Sequence, residues 1–392
     1  MRGIVLMLIA LGAGAAAAGW RPAHTVLVVL ENRSFEEVVG NRDMPFLNAL
    51  AADSALMTGA GFATLPYGIV PAGEARPLPA RPSQPNYLYL FSGHHQGVTP
   101  GTFLAGARAG HPQGVARRDA QGGLLPRPVA GARVGIGNGM IPEEWRPFTT
   151  PNLGAALIAS GASFASFCES LPHPLYDGAG DPLPLRDEYR RKHNAAINWV
   201  NLTGRALGEE RARFLLPASA NLGFTNTTDA RGARHRGFAV DANGLPIGYE
   251  VLPEVSLVVP NERHDLHSGS PAQADAWLER HIGPYARWAR EHDSLLVVTF
   301  DEAGREPASG RIVTLFSGPP DRVRPGRYGE PIDHLNVLAT LLDRHGALDR
   351  FRSDFRAAWG DGPEAARELA NLRPVRDVFG EGPALQPPAA RH

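Results

Sequence analysis

Three short apolar runs, each cut off by polar residues, restrict the folds open to this chain. They are Val26 to Leu30, Val255 to Val259 and Leu295 to Phe300. Side chains along a strand alternate between two faces, so a run that is apolar at nearly every position suits a strand covered on both sides. A helix-period pattern from Ala274 to Glu291 precedes the third run, and Glu31 to Glu36 opens a further helix with Ser34 or Asn32 as its cap. Strands alternating with helices predict an α/β fold with a mostly parallel central sheet and helices on both faces. Ligands of such sheets bind beyond the carboxyl ends of the strands. The residues standing there are Glu31 and Asn32, Asn261 to His267, and Asp301 and Glu302.

With 392 residues, 43% of them hydrophobic, the chain can bury one large core, and a single domain over residues 19–350 is expected. Two stretches of weak periodicity, near 97–150 and 203–250, read as insertions over the site. Residues 351–392 are expected to form an amphipathic helix and a flexible Pro-, Ala- and Gly-rich tail. Residues 1–18 have the form of a secretory signal: Arg2, an apolar stretch from Ile4 to Leu11, then alanines. That stretch is too short to span a bilayer, which predicts a secreted or periplasmic protein with no stable membrane anchor. A net charge of −1 from 39 basic and 40 acidic residues gives no field for nucleic acid or an anionic membrane. Cys168 is the only cysteine, so no internal disulfide is available, and its setting suits a small buried residue.

Ser83 lies in Pro82-Ser83-Gln84-Pro85-Asn86-Tyr87, directly ahead of a helix-like apolar run. The prolines predict a rigid, extended bend, with the hydroxyl at the positive end of the helix, where an anion is favoured. Taken alone, the segment reads first as a helix cap. The wider set argues for chemistry. Glu31, Asn32, Asp265, His267, Asp301, Glu302 and His334 come from four separate segments, and carboxylates with imidazoles at one sheet edge are what a divalent cation needs. Singly, Asp301 and Glu302 suit caps, Asp265 an Asx turn and His334 a hydrogen-bonded core position.

Five segments in order resemble the motifs of the bacterial and fungal phosphoesterase family, which contains secreted acid phosphatases and phospholipases C and is related to the alkaline phosphatase superfamily. They are Glu31 to Phe35, Pro82 to Tyr87, Pro260-Asn261 with Asp265-Leu266-His267, Val298 to Glu302, and Tyr328-Gly329 with His334. Tyr189 to Asn194 is a further match, although Ala195 and Ala196 replace the proline and aromatic residue that usually follow. The resemblance implies an alkaline-phosphatase-like three-layer sandwich and a secreted, metal-dependent phosphatase acting on small phosphorylated substrates. It implies that Ser83 is the nucleophile and forms a phosphoserine. Glu31, Asn32, Asp301 and Glu302 would hold a cation that also contacts Ser83, and Asp265, His267 and His334 match the positions that hold a second ion in two-metal relatives. Asn86 would steady a phosphoryl oxygen, and Lys192 and His193 would add positive charge. One or two ions are allowed, and Zn²⁺, Mn²⁺, Ca²⁺ and Mg²⁺ all suit oxygen and imidazole ligands. The alternatives are a phosphodiesterase or phospholipase C using the same residues, and a non-catalytic secreted phosphate binder. A Ser-His-Asp hydrolase is disfavoured because no Gly-x-Ser-x-Gly elbow occurs.

Overall fold

The computed structural model describes residues 19–63, 83–96, 147–178, 189–202, 204, 206–304 and 310–380. The signal-like residues 1–18, Pro82, most of the first expected insertion and the tail 381–392 lie outside the described residues.

The main sheet has eight strands: β1 (Thr25–Leu30), β2 (Ala55–Met57), β3 (Phe164–Cys168), β4 (Asn221–Gly223), β7 (Val255–Val259), β8 (Leu295–Phe300), β9 (Thr314–Ser317) and β10 (Gly326–Tyr328). β5 (Thr227–Thr228) and β6 (Arg234–His235) form a separate two-stranded pair inside the second expected insertion. The order across the sheet is β10-β2-β9-β8-β1-β7-β3-β4. β9 runs antiparallel to both its neighbours and the remaining pairings are parallel. The three apolar runs become the adjacent central strands β8, β1 and β7, buried at every position. Their carboxyl ends therefore meet at one edge.

The helices are α1 (Phe35–Val38), α2 (Pro45–Ala52), α3 (Ser83–Ser92), α4 (Leu153–Ala159), α5 (Glu209–Ala212), α6 (Pro271–His281), α7 (Gly283–Glu291), α8 (His334–Arg344), α9 (Leu348–Trp359) and α10 (Pro363–Asn371). α2, α6 and α7 pack with one another, while α3, α4, α8, α9 and α10 form a second packed group. The expected α/β arrangement, a mostly parallel sheet with helices against it, is what the chain adopts.

Local chemistry explains the element ends. Ser34 caps α1 as expected, its amide donating to Glu37 Oε2 at 2.7 Å. The pattern from Ala274 to Glu291 is two helices, because Gly283-Pro284 supplies no amide proton at Pro284 and restarts the chain as α7. Ser83 is not in an extended bend ahead of its helix. It is the first residue of α3, and Pro85 sits in the first turn, where its missing N–H has no intrahelical partner to lose. β3 follows a mixed Ala, Ser and Phe run that carries no β-branched residue to mark it as a strand. Past residue 350 the described chain continues as helical packing, with Phe351 and Phe355 fully buried.

Candidate active site

Five segments converge beyond the carboxyl edge of the sheet. β1 delivers Glu31 and Asn32, β8 delivers Asp301 and Glu302, and the loop after β7 delivers Asp265 and His267. α3 points its first turn at this edge with Ser83 and Asn86, and a short 3-10 turn, Arg191–His193, packs beside α3 and brings Lys192 and His193. All ten residues of α3 are buried, Ser83 and Asn86 among them.

One pattern recurs at three carboxylates. Each has one oxygen tied and the other left over. Glu31 Oε2 accepts from Ser83 Oγ at 2.9 Å and from Asn32 Nδ2 at 3.1 Å. Asp301 Oδ1 accepts from the amides of Asn32 at 3.0 Å and Glu302 at 2.6 Å. Asp265 Oδ1 closes an Asx turn on the amide of His267 at 2.7 Å. Glu31 Oε1, Asp301 Oδ2 and Asp265 Oδ2 are buried without a hydrogen-bond partner among the described residues, and so is His193 Nε2. Buried polar atoms are nearly always satisfied, so orphans of this kind call for an occupant. His193 bridges two of them, with Nε2 3.2 Å from Glu31 Oε1 and Nδ1 3.4 Å from Asp265 Oδ2. Ligand atoms of Glu31, His193 and Asp265 lie within 4.8 Å of one another. Oxygen and imidazole donors in that grouping fit a divalent cation.

The electrostatics agree. Burial, then the neighbouring Asp301 and Asp265 charges, hold the Glu31 carboxyl well above the usual range. Burial likewise raises Asp265 well above its ordinary value and lifts Asp301 to about 6, against the pull of its amide donors. Carboxylates this close and this dry resist ionisation unless a cation joins them. Burial first, then the Lys192 charge, pushes His193 well below its usual value, so its ring is neutral. That corrects the expectation that His193 adds positive charge; of the two residues expected to do so, Lys192 is the cation.

Other expected residues are placed as follows. Asn86 Nδ2 donates to Glu302 Oε2 at 3.2 Å. The half-exposed His267 ring lies 6.0 Å from that of His193, with Nδ1 3.8 Å from Glu262 Oε1. His334 does not join the site. Its Nε2 donates to the carbonyl of Phe300 at 2.8 Å and its Nδ1 accepts the amide of Ala63 at 3.4 Å, so neither nitrogen has a lone pair for a metal. Burial pushes that ring down to about 4, as suits a neutral core histidine.

Sequence reasoning passed over several residues that shape the site. Tyr87 stacks on His193 with ring centroids 5.2 Å apart and planes at 16°. Arg190 Nε holds Glu262 Oε1 at 2.8 Å, and Glu262 in turn faces His267. Tyr87 stood in the Pro-Ser-Gln-Pro-Asn-Tyr segment and Glu262 in the Asn261 to His267 stretch beyond a strand end, which were the available signals. A second grouping, His94, His95 and Glu364, lies at the far end of α3. There the two imidazoles are stacked at 4.4 Å, and His94 Nδ1 already accepts the amide of Gln96 at 2.9 Å. Lone pairs in stacked rings do not aim at one point, so this grouping reads as histidine–glutamate contacts between α3 and α10, with His95 Nε2 2.9 Å from Glu364 Oε1.

Comparison with known proteins places this arrangement. The sequence model described as the Phosphoesterase family matches residues 243–346. A phosphatidylinositol-3-phosphatase of Mycobacterium tuberculosis is 34% identical over 324 residues, which is 83% of this chain and 77% of that protein. A phosphate-repressible acid phosphatase of Penicillium chrysogenum is 22% identical over 189 residues, 47% of this chain and 39% of that protein. Among solved structures, a Vibrio parahaemolyticus protein of the alkaline phosphatase superfamily matches at a TM-score of 0.41 and 12% identity, covering 84% of this chain and 67% of that one. The chain belongs to the phosphoesterase family. It is a phosphoric ester hydrolase.

Proposed function

We propose that the protein is an exported, divalent-metal-dependent phosphomonoesterase that works through a phosphoserine on Ser83. The observation that carries this is the set of orphaned, buried oxygens of Glu31, Asp301 and Asp265, with His193 between Glu31 and Asp265 and the Ser83 hydroxyl on Glu31.

Glu31, Asp301, Asp265 and His193 are the residues that would hold the cation, with Asn32 and Glu302 beside them. A bound divalent ion lowers the pKa of a coordinated hydroxyl and shields phosphoryl charge. Ser83 Oγ already has an acceptor for its proton in Glu31 Oε2 at 2.9 Å. Its oxygen bonds to phosphorus while the ester bond breaks, and the leaving group departs as an alcohol with the proton that Glu31 Oε2 took from Ser83. The first amides of α3 have no intrahelical acceptors and would be available to the phosphoryl oxygens, to which Asn86 Nδ2 and Lys192 would add positive edge. Water then attacks the phosphoserine, the bond from phosphorus to Ser83 Oγ breaks and phosphate leaves, the proton from the water returning to Ser83 Oγ through Glu31 Oε2.

The name of the 34% identical relative supports a lipid-borne monoester, such as the 3-phosphate of an inositol phospholipid, as the substrate class. No helix among the described residues is long and apolar enough to cross a membrane. The diesterase reading uses the same residues. Initial rates on p-nitrophenyl phosphate and bis-p-nitrophenyl phosphate, before and after a chelator and with each cation added back, test both. Monoester turnover that is lost with the chelator and restored by a cation is expected; turnover unaffected by full metal removal would overturn the metal assignment. Ser83→Ala should lower kcat by several orders of magnitude, and quenched wild-type protein should carry a phosphoryl group on Ser83 by mass spectrometry.

A further inference from the structure

The loop that carries Asp265 and His267 is strained and is not part of the sheet. Leu266, between those two residues, sits at φ +85° with its side chain fully buried, a conformation that a residue with a Cβ adopts only when its surroundings impose it. The loop also folds tightly on itself: the carbonyl of Glu262 accepts the amides of Ser268 at 2.8 Å and Gly269 at 3.3 Å. A Cβ at position 269 would fall 1.7 Å from the Arg263 carbonyl oxygen.

Glu169 holds this loop from outside. It is the first residue past β3, and its amide extends the β3–β7 pairing by donating to the Val259 carbonyl at 2.9 Å. Its carboxylate turns to the loop. Oε2 accepts the amide of Asn261 at 3.0 Å, and both oxygens face His264 Nδ1, at 3.0 and 2.9 Å. Oε1 also accepts the indole N–H of Trp277 at 3.0 Å, from α6 beyond the loop. The ring of His264 lies near-parallel to that of Trp277, with centroids 6.0 Å apart. One side chain thus ties the beginning of the loop, its middle and the helix that follows.

The tie runs on to the reacting groups. The Asn261 carbonyl accepts the amides of His264 and Asp265, each at 2.9 Å, and the Asp265 carbonyl accepts the Glu31 amide at 2.7 Å. We propose that Glu169 is a positioning residue, which sets Asp265 and His267 for catalysis through Asn261, His264 and Trp277. Three donors converge on two oxygens, which only a carboxylate can answer. A glutamine offers one acceptor oxygen, and its NH₂ would face at least one of the three donors. Glu169 acts through these neighbours and not on the substrate.

The inference rests on the proposed role of Asp265, and the test separates the two. Glu169→Gln is assayed on p-nitrophenyl phosphate at saturating cation, alongside thermal unfolding, with chelator-treated wild type as control. Partners behind a ligand typically contribute 10–100-fold to activity, so a fall in kcat of about that size is expected, with KM changed by less than about threefold. Trp277→Phe keeps the ring and removes one donor. It should lower kcat by a few-fold, and it reads the same tie if Glu169→Gln does not fold. Wild-type kcat in folded Glu169→Gln, or a loss confined to thermal stability in both variants, would overturn the positioning role. Wild-type turnover that survives the chelator while Glu169→Gln still lowers kcat would sink the metal reading alone.

Discussion

Replacing Asp301 by Asn separates what the acidic cluster needs for stability from what it needs for turnover. Without a cation, burial lifts the Asp301 carboxyl from 3.8 to about 6. At about 1.4 kcal/mol per pKa unit, keeping Asp301 ionised costs the fold about 3 kcal/mol. Between those two values the folded protein holds the proton and the unfolded chain does not, so stability falls as pH rises through the window and the full cost applies above it. Asn retains an oxygen for the amides of Asn32 and Glu302 and brings no charge. Chelator-treated Asp301→Asn is therefore expected to exceed the chelator-treated parent in stability at pH 8, by up to about 3 kcal/mol. Near pH 4 the two should converge. Urea unfolding followed by tryptophan fluorescence at the two pH values reads the difference. With cation restored, the variant should lose turnover by on the order of 10²-fold or more. A variant no more stable than its parent at pH 8 would show that this carboxylate is not burdened by its site, and the case for a missing cation would go with it.

Away from the site, His345 is buried with Nε2 2.9 Å from Thr25 Oγ1, and burial pushes its ring down to about 4. The unfolded chain binds the proton first on acidification, so this group withdraws stability as pH falls from 6.5 towards 4. His345→Gln should flatten part of that loss in thermal unfolding scans. Burial also pushes the Cys168 thiol up to about 12, so the native protein should resist iodoacetamide at pH 8 while the urea-unfolded chain is alkylated, read by intact mass. Alkylation of native protein at the unfolded rate would contradict the buried position of β3.

The apolar runs of β1, β7 and β8 were legible in the sequence because a strand covered on both faces must be apolar at almost every position. The polar residues at their ends followed from that reading, whereas the helix expected after Pro85 already includes Ser83. β3 was not legible, since Phe164-Ala165-Ser166-Phe167-Cys168 is strand-forming only by virtue of the strands on either side of it. With β3 unrecognised, Glu169 had no reason to be noticed. The sequence also could not distinguish His334 from His193. Each is a histidine near other motif residues, and one turned its nitrogens to backbone groups while the other was left between two carboxylates. Residue type and order along the chain determine which strands form and which polar groups stand at their ends. Which oxygens are left over at the site depends on segments that meet only in the fold, Ser83 on Glu31 across 52 residues and Asn32 on Asp301 across 269, and only the assembled sheet edge decides it.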